Sequence, residues 1–517
     1  MNNNNTLLRI LNWVETAGNR LPHPVVLFFY ASLVILIISQ IAEWLNWRVM
    51  KTVVDAEGEQ KQVEVIAQGL LDSDGLWWVI SNLVDNFISF PPLALVLVAM
   101  LGIGVAERTG LIAALIQVSL KQVPGALLTP TVFFIAVMSS MALDAGYVVL
   151  PPIAAALYLA MGRSPVAGIA TAFAGVSAGF SANLFITAID PLLAGFTQAS
   201  AHLLDESYQV SATANWWLMI ASTFTLTLVG WWVTAKIVEP RLQSGHLARA
   251  GNAHGHSEPE LGDRSRGLKW AAWAWGLSLF LVFLAVYIPG APLNGFGSRF
   301  DRWVEAIVPL IFLLFIAPGL AYGYGAGVLN KDRGAPHLMG ETMASLGPYI
   351  VLAFFAAQFI AFFKYSNLGE MLAIVGGDFL LFLELPYWLL IIMFLMVVMT
   401  ANLFIGSASA KYAFFAPVFI PMLMQVGISP ELTQAAYRIG DSVSNIITPL
   451  NPYMVVILAF LQRYVPKAGI GTLIALMLPY AVVFALIWTV LLLLWVGLGF
   501  ELGPEGPLWY ALGAGNA

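Results

Sequence analysis

Ionisable residues are scarce in the apolar stretches of this sequence, and the few present are grouped. Arg438 and Asp441 lie three apart within 430–463, so on a helix they face one way and are expected to pair. A guanidinium is a planar donor fork suited to a carboxylate or sulfonyl group, and Asp441 could release that ligand or take up a proton. A purely structural ion pair is the alternative. Asp190-Pro191 and Asn451-Pro452 have the form of a helix cap followed by Pro at the first helical position. A carboxylate there is partly compensated by the helix N-terminus and also suits ion coupling. Beside these prolines stand Ser181, Asn183 and Thr187, and again Ser444, Asn445 and Thr448. Such hard oxygen donors suit an alkali cation, so they form two quasi-symmetric candidate Na⁺ sites; capping and helix breaking alone would also explain them. Tyr412 offers an aromatic face and a hydroxyl to a ligand, or simply packs. Asp144 and Ser409 fall at two polar tips that would lie beside a substrate.

Composition sets what must position these residues. Of 517 residues, 59% are hydrophobic and 10% charged, with a mean hydropathy of +0.82, against about a quarter charged in a soluble chain. The apolar excess runs the whole length, which implies an all-α polytopic membrane protein. A net charge of -6 leaves no footprint for nucleic acid. The absence of Cys removes disulfides and thiolate chemistry. No nucleophile–base–orienter set falls within the spans, so the chain reads as a non-enzyme, and no prosthetic cofactor is expected. His246, His254 and His256 lie in a polar Gly-rich loop that reads as a solvated linker. Gly102-Ile103-Gly104 reads as a helix-packing contact.

Runs of about 20 apolar residues place spans at 24–47, 85–107, 215–236, 269–289, 303–325, 346–363 and 470–499. Lys and Arg collect in cytoplasmic loops; by that rule the N-terminus and the loop 239–268 are cytoplasmic, and the acidic loop from Asp55 to Asp74 and the C-terminus are periplasmic. Lys121 and Arg163 both belong inside, so 124–162 must be a re-entrant hairpin with its tip near Ser139 to Gly146. Segment 165–199 then crosses outward, broken near Ser181 to Asp190. By the same parity 386–426 is a second hairpin with its tip near Gly406 to Lys411, and 430–463 crosses inward, broken near Ser444 to Asn451. The sum is nine spans and two hairpins.

Displacing the chain on itself by 265 residues superimposes Tyr147 on Tyr412, Pro152 on Pro417, Gly162 on Gly427, Ser164-Pro165 on Ser429-Pro430 and Gly175 on Gly440. Asn183 to Pro191 then resembles Asn445 to Pro452. The two copies, about 85–236 and 346–499, carry opposite parity, which makes them an inverted-topology repeat. Secondary transporters are built this way, with sites where broken helices and hairpin tips meet near the midplane.

The chain resembles the p-aminobenzoyl-glutamate transporter family (AbgT type) over essentially its full length. The likeness rests on Leu21-Pro22-His23-Pro24, on Ser181-Ala182-Asn183 through Asp190-Pro191, and above all on the run from Tyr437-Arg438 through Gly440-Asp441-Ser442 and Ser444-Asn445 to Thr448-Pro449-Leu450-Asn451-Pro452. The resemblance implies a bowl-shaped homodimer in the bacterial inner membrane, in an architecture shared with sodium/dicarboxylate symporters. It implies ion-driven import of p-aminobenzoyl-glutamate or export of sulfonamide antimetabolites. It also implies functional roles for Asp190, Ser409, Pro430, Arg438, Asp441 and Pro449, with Tyr412 standing where some members carry Trp. Oxygen ligands at the breaks point to Na⁺ as the coupling ion, whereas Asp190 and Asp441 would serve H⁺. A Na⁺/dicarboxylate symporter and an ion channel are the competing functions.

Overall fold

The computed structural model describes residues 24–54, 60–120, 123–142, 145–244, 264–329 and 334–511. Helix α1 (Pro24–Trp44) leads into an antiparallel ribbon, β1 (Arg48–Val54) with β2 (Gln60–Ile66), where the sequence suggested only an acidic loop. The first repeat follows. It comprises α2 (Pro91–Arg108), α3 (Leu111–Leu120), a hairpin of α4 (Leu128–Met138) and α5 (Ala145–Ala160), a broken helix formed by α6 (Pro165–Ala178) and α7 (Ile189–Ala201), and α8 (Trp216–Val233). After α9 (Arg264–Tyr287) and α10 (Ile307–Gly325), the same order returns: α11 (Gly347–Tyr365), α12 (Leu368–Phe382), a hairpin of α13 (Tyr387–Ala401) and α14 (Ala408–Gln425), a broken helix formed by α15 (Pro430–Ser444) and α16 (Met454–Gln462), and α17 (Ile470–Gly497).

Helices α1, α2, α8, α9, α10, α11 and α17 are long and apolar enough to cross a membrane, and they are the seven long runs read from the sequence. Two boundaries differ most. Helix α2 begins at Pro91 rather than 85, because Leu83–Ile88 forms a separate short helix and Pro91 sits in the first turn of α2, where its missing N–H costs nothing. Helix α8 runs past 236, through a π-turn at Thr234–Val238 and into Glu239–Ser244. Helices α3 and α12 were not expected at all, since both are shorter than the roughly 20 residues a span needs. The loop histidines and Asp144 lie outside the described residues.

Helices α6 and α15 are buried along their whole length. Their small residues make that possible. A Cβ on Gly175 would come within 2.4 Å of Ala136 Cβ on α4, and one on Gly440 within 3.1 Å of Leu395 O on α13. These two glycines are the repeat equivalents offset by 265, and each admits the first arm of its own hairpin. The second halves of the broken helices cross over: α7 packs on α14, and α16 packs on α5 and α6. Each hairpin is therefore clasped by the broken helices of both repeats. In contrast, only 6% of the apolar window of α9 is buried, so that helix requires apolar surroundings from outside the chain.

The Gly102-Ile103-Gly104 contact is a packing one. A Cβ on Gly102 would lie 2.4 Å from the Phe312 carbonyl oxygen on α10, which is backbone and cannot swing aside, whereas nothing lies within 4 Å of a Cβ on Gly276. Gly102→Val is expected to lower stability by about 1–3 kcal/mol, the usual penalty for overpacking, and Gly276→Ala to leave it unchanged. Thermal melting of the detergent-purified protein checks this, and equal melting temperatures for the two variants would refute the contact.

Candidate functional site

The first break, residues 179–188, is closed from the other repeat. Asp190 is the second residue of α7, and the position before the helix is Ala188, so the expected Asp cap with Pro at the first position is not formed. Instead Asp190 Oδ2 turns back to accept from the Thr187 N–H at 2.6 Å and from its hydroxyl at 2.9 Å. Asp190 Oδ1 accepts from Arg438 Nη1 at 2.6 Å, and Arg438 Nη2 donates to the Ser181 carbonyl at 3.0 Å. The guanidinium of α15 thus satisfies both a carboxylate and a carbonyl freed by the break. The third donor direction of Arg438, its Nε–H, is buried and has no acceptor. Asn183 ties the break to the first hairpin, accepting from the Phe185 N–H at 3.1 Å and donating to Ser140 Oγ at 2.9 Å.

The pairing of Arg438 with Asp441 predicted from their spacing does not form. Asp441 pairs instead with Lys411, a fully buried lysine in the first turns of α14. Spacing of three places both side chains on one face, but α15 is flanked there by α7 on one side and α14 on the other, and each neighbour supplies its own counter-charge. The second break, residues 445–453, is held by Asn402 at the end of α13. Its Nδ2 lies 2.9 Å from the Asp441 carbonyl, 2.8 Å from Ser444 Oγ and 2.9 Å from Asn445 Oδ1, while its Oδ1 accepts from Lys411. Asn445 Nδ2 reaches back to Asp441 Oδ2 at 3.3 Å, and Ser444 Oγ donates to Gly440 O at 2.7 Å. Thr448 is buried, its hydroxyl 3.4 Å from the Leu450 N–H. Asn451 is not a helix cap either, since α16 begins at Met454; its Nδ2 crosses to Ser177 Oγ on α6 at 3.2 Å.

Of the residues singled out in the sequence, the structure gathers Ser181, Asn183, Thr187, Asp190, Arg438, Asp441, Ser444, Asn445 and Thr448 around the two breaks. Tyr412 lies beside them, fully buried, its ring 4.3 Å from that of Tyr437 and its hydroxyl 2.6 Å from Thr197 Oγ1. Ser409 is half-buried in the first turn of α14, 3.4 Å from Ser407. Pro449 lies within the second break, where Gly406 of the hairpin tip presses on Leu450. Pro430 is apart from the group. It starts α15, about 12 Å of helix rise before Arg438, next to the buried Glu431 that accepts from the Tyr208 hydroxyl at 2.9 Å. Lys411, Asn402 and Glu431 are site residues that the sequence reading does not single out. Lysine and glutamate buried in apolar helices are the signal that could have found two of them.

At the end of α7 away from Asp190 lies a cavity of about 580 Å³ lined by Lys51, Trp78, His202, Glu206, Lys364 and Glu370. Lys51 pairs with Glu370 and Lys364 with Glu206, each at 2.7 Å, and the Trp78 and Tyr365 rings stack 4.2 Å apart. The hydrogen bond from Lys364 holds the Glu206 carboxyl below its ordinary value, and burial lowers that of the His202 imidazole.

Double-mutant cycles on thermal stability test the wiring of the breaks. Arg438→Ala alone strands a buried carboxylate and is expected to cost about 3–5 kcal/mol. The coupling of 438 with 190, and of 411 with 441, is expected at about 0.5–3 kcal/mol. Coupling concentrated between 438 and 441 would contradict the arrangement.

Similarity to known proteins runs over the whole of this architecture. The family described as "AbgT putative transporter family" matches residues 9–510. The p-aminobenzoyl-glutamate transport protein of Escherichia coli (strain K12) is 35% identical over 503 residues, 96% of each chain. Among solved structures, the Alcanivorax borkumensis YdaH transporter, described as having an unusual topology, superimposes with a TM-score of 0.87 at 43% identity, covering 93% of this chain and 100% of that one. Neisseria gonorrhoeae MtrF, described within a class of antimetabolite efflux pumps, does so with a TM-score of 0.86 at 40% identity, covering 96% of this chain and 100% of that one. The chain, with its two hairpins and two cross-linked broken helices, is a membrane transporter and belongs to the AbgT family.

Proposed function

We propose that the chain is a secondary transporter that moves p-aminobenzoyl-glutamate and sulfonamide antimetabolites by alternating access, coupled to the proton gradient through Asp441. Arg438 carries the reading. It is buried against the first break, two of its donor directions are committed to Asp190 and Ser181, and its Nε–H has no acceptor. Leaving a buried donor unmet costs about 1–3 kcal/mol, and a carboxylate or sulfonyl oxygen arriving there removes that cost. An aminobenzoyl ring finds its wall in Tyr412 and Tyr437 once the second hairpin moves, since stacked rings contribute beyond their burial. The E. coli relative's name supports the first substrate class, and the MtrF description supports antimetabolites as the second.

Protons are favoured because the oxygen donors of the candidate Na⁺ sites are already engaged by protein partners: Asn183 by Phe185, Thr187 by Asp190, and Ser444 and Asn445 by Asn402. One observation favours Na⁺ instead. Three oxygens, from Asp441, Ser444 and Asn445, surround a single amide nitrogen of Asn402 that has only two hydrogens to give. Were Asn402 to swing out, those oxygens would suit a hard cation.

In the arrangement proposed, the N-terminus and the 239–268 loop are cytoplasmic, the C-terminus is periplasmic, the first hairpin enters from inside and the second from outside, in a bacterial inner membrane. The protein works as a homodimer, each protomer holding its own pathway. The cavity between Lys51 and Lys364 is then the periplasmic approach.

Flux of radiolabelled p-aminobenzoyl-glutamate in proteoliposomes, with pH and Na⁺ gradients imposed separately, tests the proposal. Flux is expected to follow the pH gradient and to fall at least about tenfold in Asp441→Asn. Flux that follows Na⁺ and ignores pH would move the ion to the Asn402 cluster. No gradient-dependent flux under either condition would sink the transport reading.

A further inference from the structure

Among the described residues, Lys411 is the buried cation near the breaks for which that mechanism has no use. Its side chain is fully enclosed, and three side chains surround it. Asp441 on α15 supplies the counter-charge, Asn402 at the end of α13 supplies an amide oxygen, and the Tyr437 ring lies 5.9 Å from Nζ. A lysine in such a place retains a charge only with this compensation, and a point-like ammonium on a long stem can exchange one oxyanion for another. The tip that precedes it is looser. Residues 403 to 409 are all half-buried, and Gly406 makes the contact with the second break.

The charges around the breaks balance in pairs, Arg438 with Asp190 and Lys411 with Asp441. The other ionisable group facing Lys411 is Tyr437 on α15; α13 contributes Asn402 and no charge, and Glu431 lies farther along α15. An anionic substrate entering this neutral set brings uncompensated charge into hydrocarbon. Neutralising Asp441 lowers that charge and at the same time frees the ammonium beside it.

We propose, resting on the transport reading above, that Lys411 is a second substrate-binding cation held in reserve by Asp441: when Asp441 takes up its coupling cation, the Lys411 ammonium exchanges partners and holds the carboxylate of an anionic substrate. Lys411 thereby ties ion uptake to substrate charge. A substrate with no charge has no use for it, so the residue separates anionic aryl-amide substrates from neutral sulfonamides. In this account Asp441 gains one proton or cation and Lys411 keeps its three protons throughout.

The test compares wild type, Lys411→Gln, Lys411→Arg and the charge-neutral double variant Lys411→Gln/Asp441→Asn in proteoliposomes. Two substrates are used: p-aminobenzoyl-glutamate and a sulfonamide uncharged at the assay pH. Lys411→Gln is expected to raise KM for p-aminobenzoyl-glutamate about ten- to a hundredfold, the scale of a lost charge-assisted hydrogen bond, while the sulfonamide KM moves less than about twofold. Lys411→Arg is expected to restore p-aminobenzoyl-glutamate transport in large part. The double variant keeps the region neutral if the single variant fails to fold, and is expected to carry the sulfonamide with no dependence on pH. Equal effects on both substrates, or no effect on either, would overturn the role of Lys411. If wild type moves neither substrate, it is the transport reading that fails.

Discussion

A charge buried in hydrocarbon has to meet its opposite, and for Arg438 that partner comes from the other half of the chain. Arg438 belongs to the second repeat and Asp190 to the first, so their contact cannot form until both broken helices are in place. The same guanidinium satisfies a carbonyl exposed where the first helix breaks, which removes the main cost of non-helical backbone at that depth. Asn451 makes the reciprocal crossing to Ser177. Each break therefore depends on the opposite repeat for its polar satisfaction, and the architecture of two interlocked copies follows from that dependence.

The helices between these contacts are adapted to close approach. Gly175 and Gly440 hold equivalent places and admit equivalent hairpin arms, although the sequences of α4 and α13 have little in common. The hairpin tips touch the breaks through short polar contacts, Asn183 with Ser140 and Asn402 with Ser444 and Asn445, and through the Tyr147 and Tyr453 rings, stacked 4.2 Å apart. Hydrogen bonds of this kind exchange for water at little net cost, whereas opening a packed apolar contact leaves a void. A site built this way can open at its tips while its floor, formed by α6 and α15, stays packed. That combination is what a carrier with two alternating openings requires.

Much of this is legible in the sequence. The seven long helices stand out because each is an apolar run of about the length a membrane requires, and the breaks stand out because Asn, Asp and Pro recur there at matching positions. Helices α3 and α12 escaped because neither is long enough to declare itself. The ribbon at β1 and β2 escaped because its charged residues read as loop. For Arg438 and Asp441, helical spacing fixes the direction in which side chains point but not which helix lies there, and the true partners, Asp190 and Lys411, are 248 and 30 residues away in sequence. Lys411 has the same mark as Arg438, an ionisable residue in apolar chain, yet it closes the polar run Gly406 to Lys411 at a hairpin tip, where one more polar residue does not stand out. The fold-back of Asp190 onto Thr187 could not be read from a motif that equally spells a helix cap.

Equilibrium binding tests the central claim, that a substrate anion is held where Arg438 closes the first break against Asp190. Titration calorimetry of the detergent-purified protein with p-aminobenzoyl-glutamate would compare wild type, Arg438→Ala and Asp190→Asn. Loss of a charge-assisted contact predicts a Kd about ten- to a hundredfold weaker for Arg438→Ala, and no weakening for Asp190→Asn, which frees the guanidinium for the ligand. Unchanged affinity in Arg438→Ala, with the protein still folded, would contradict the account.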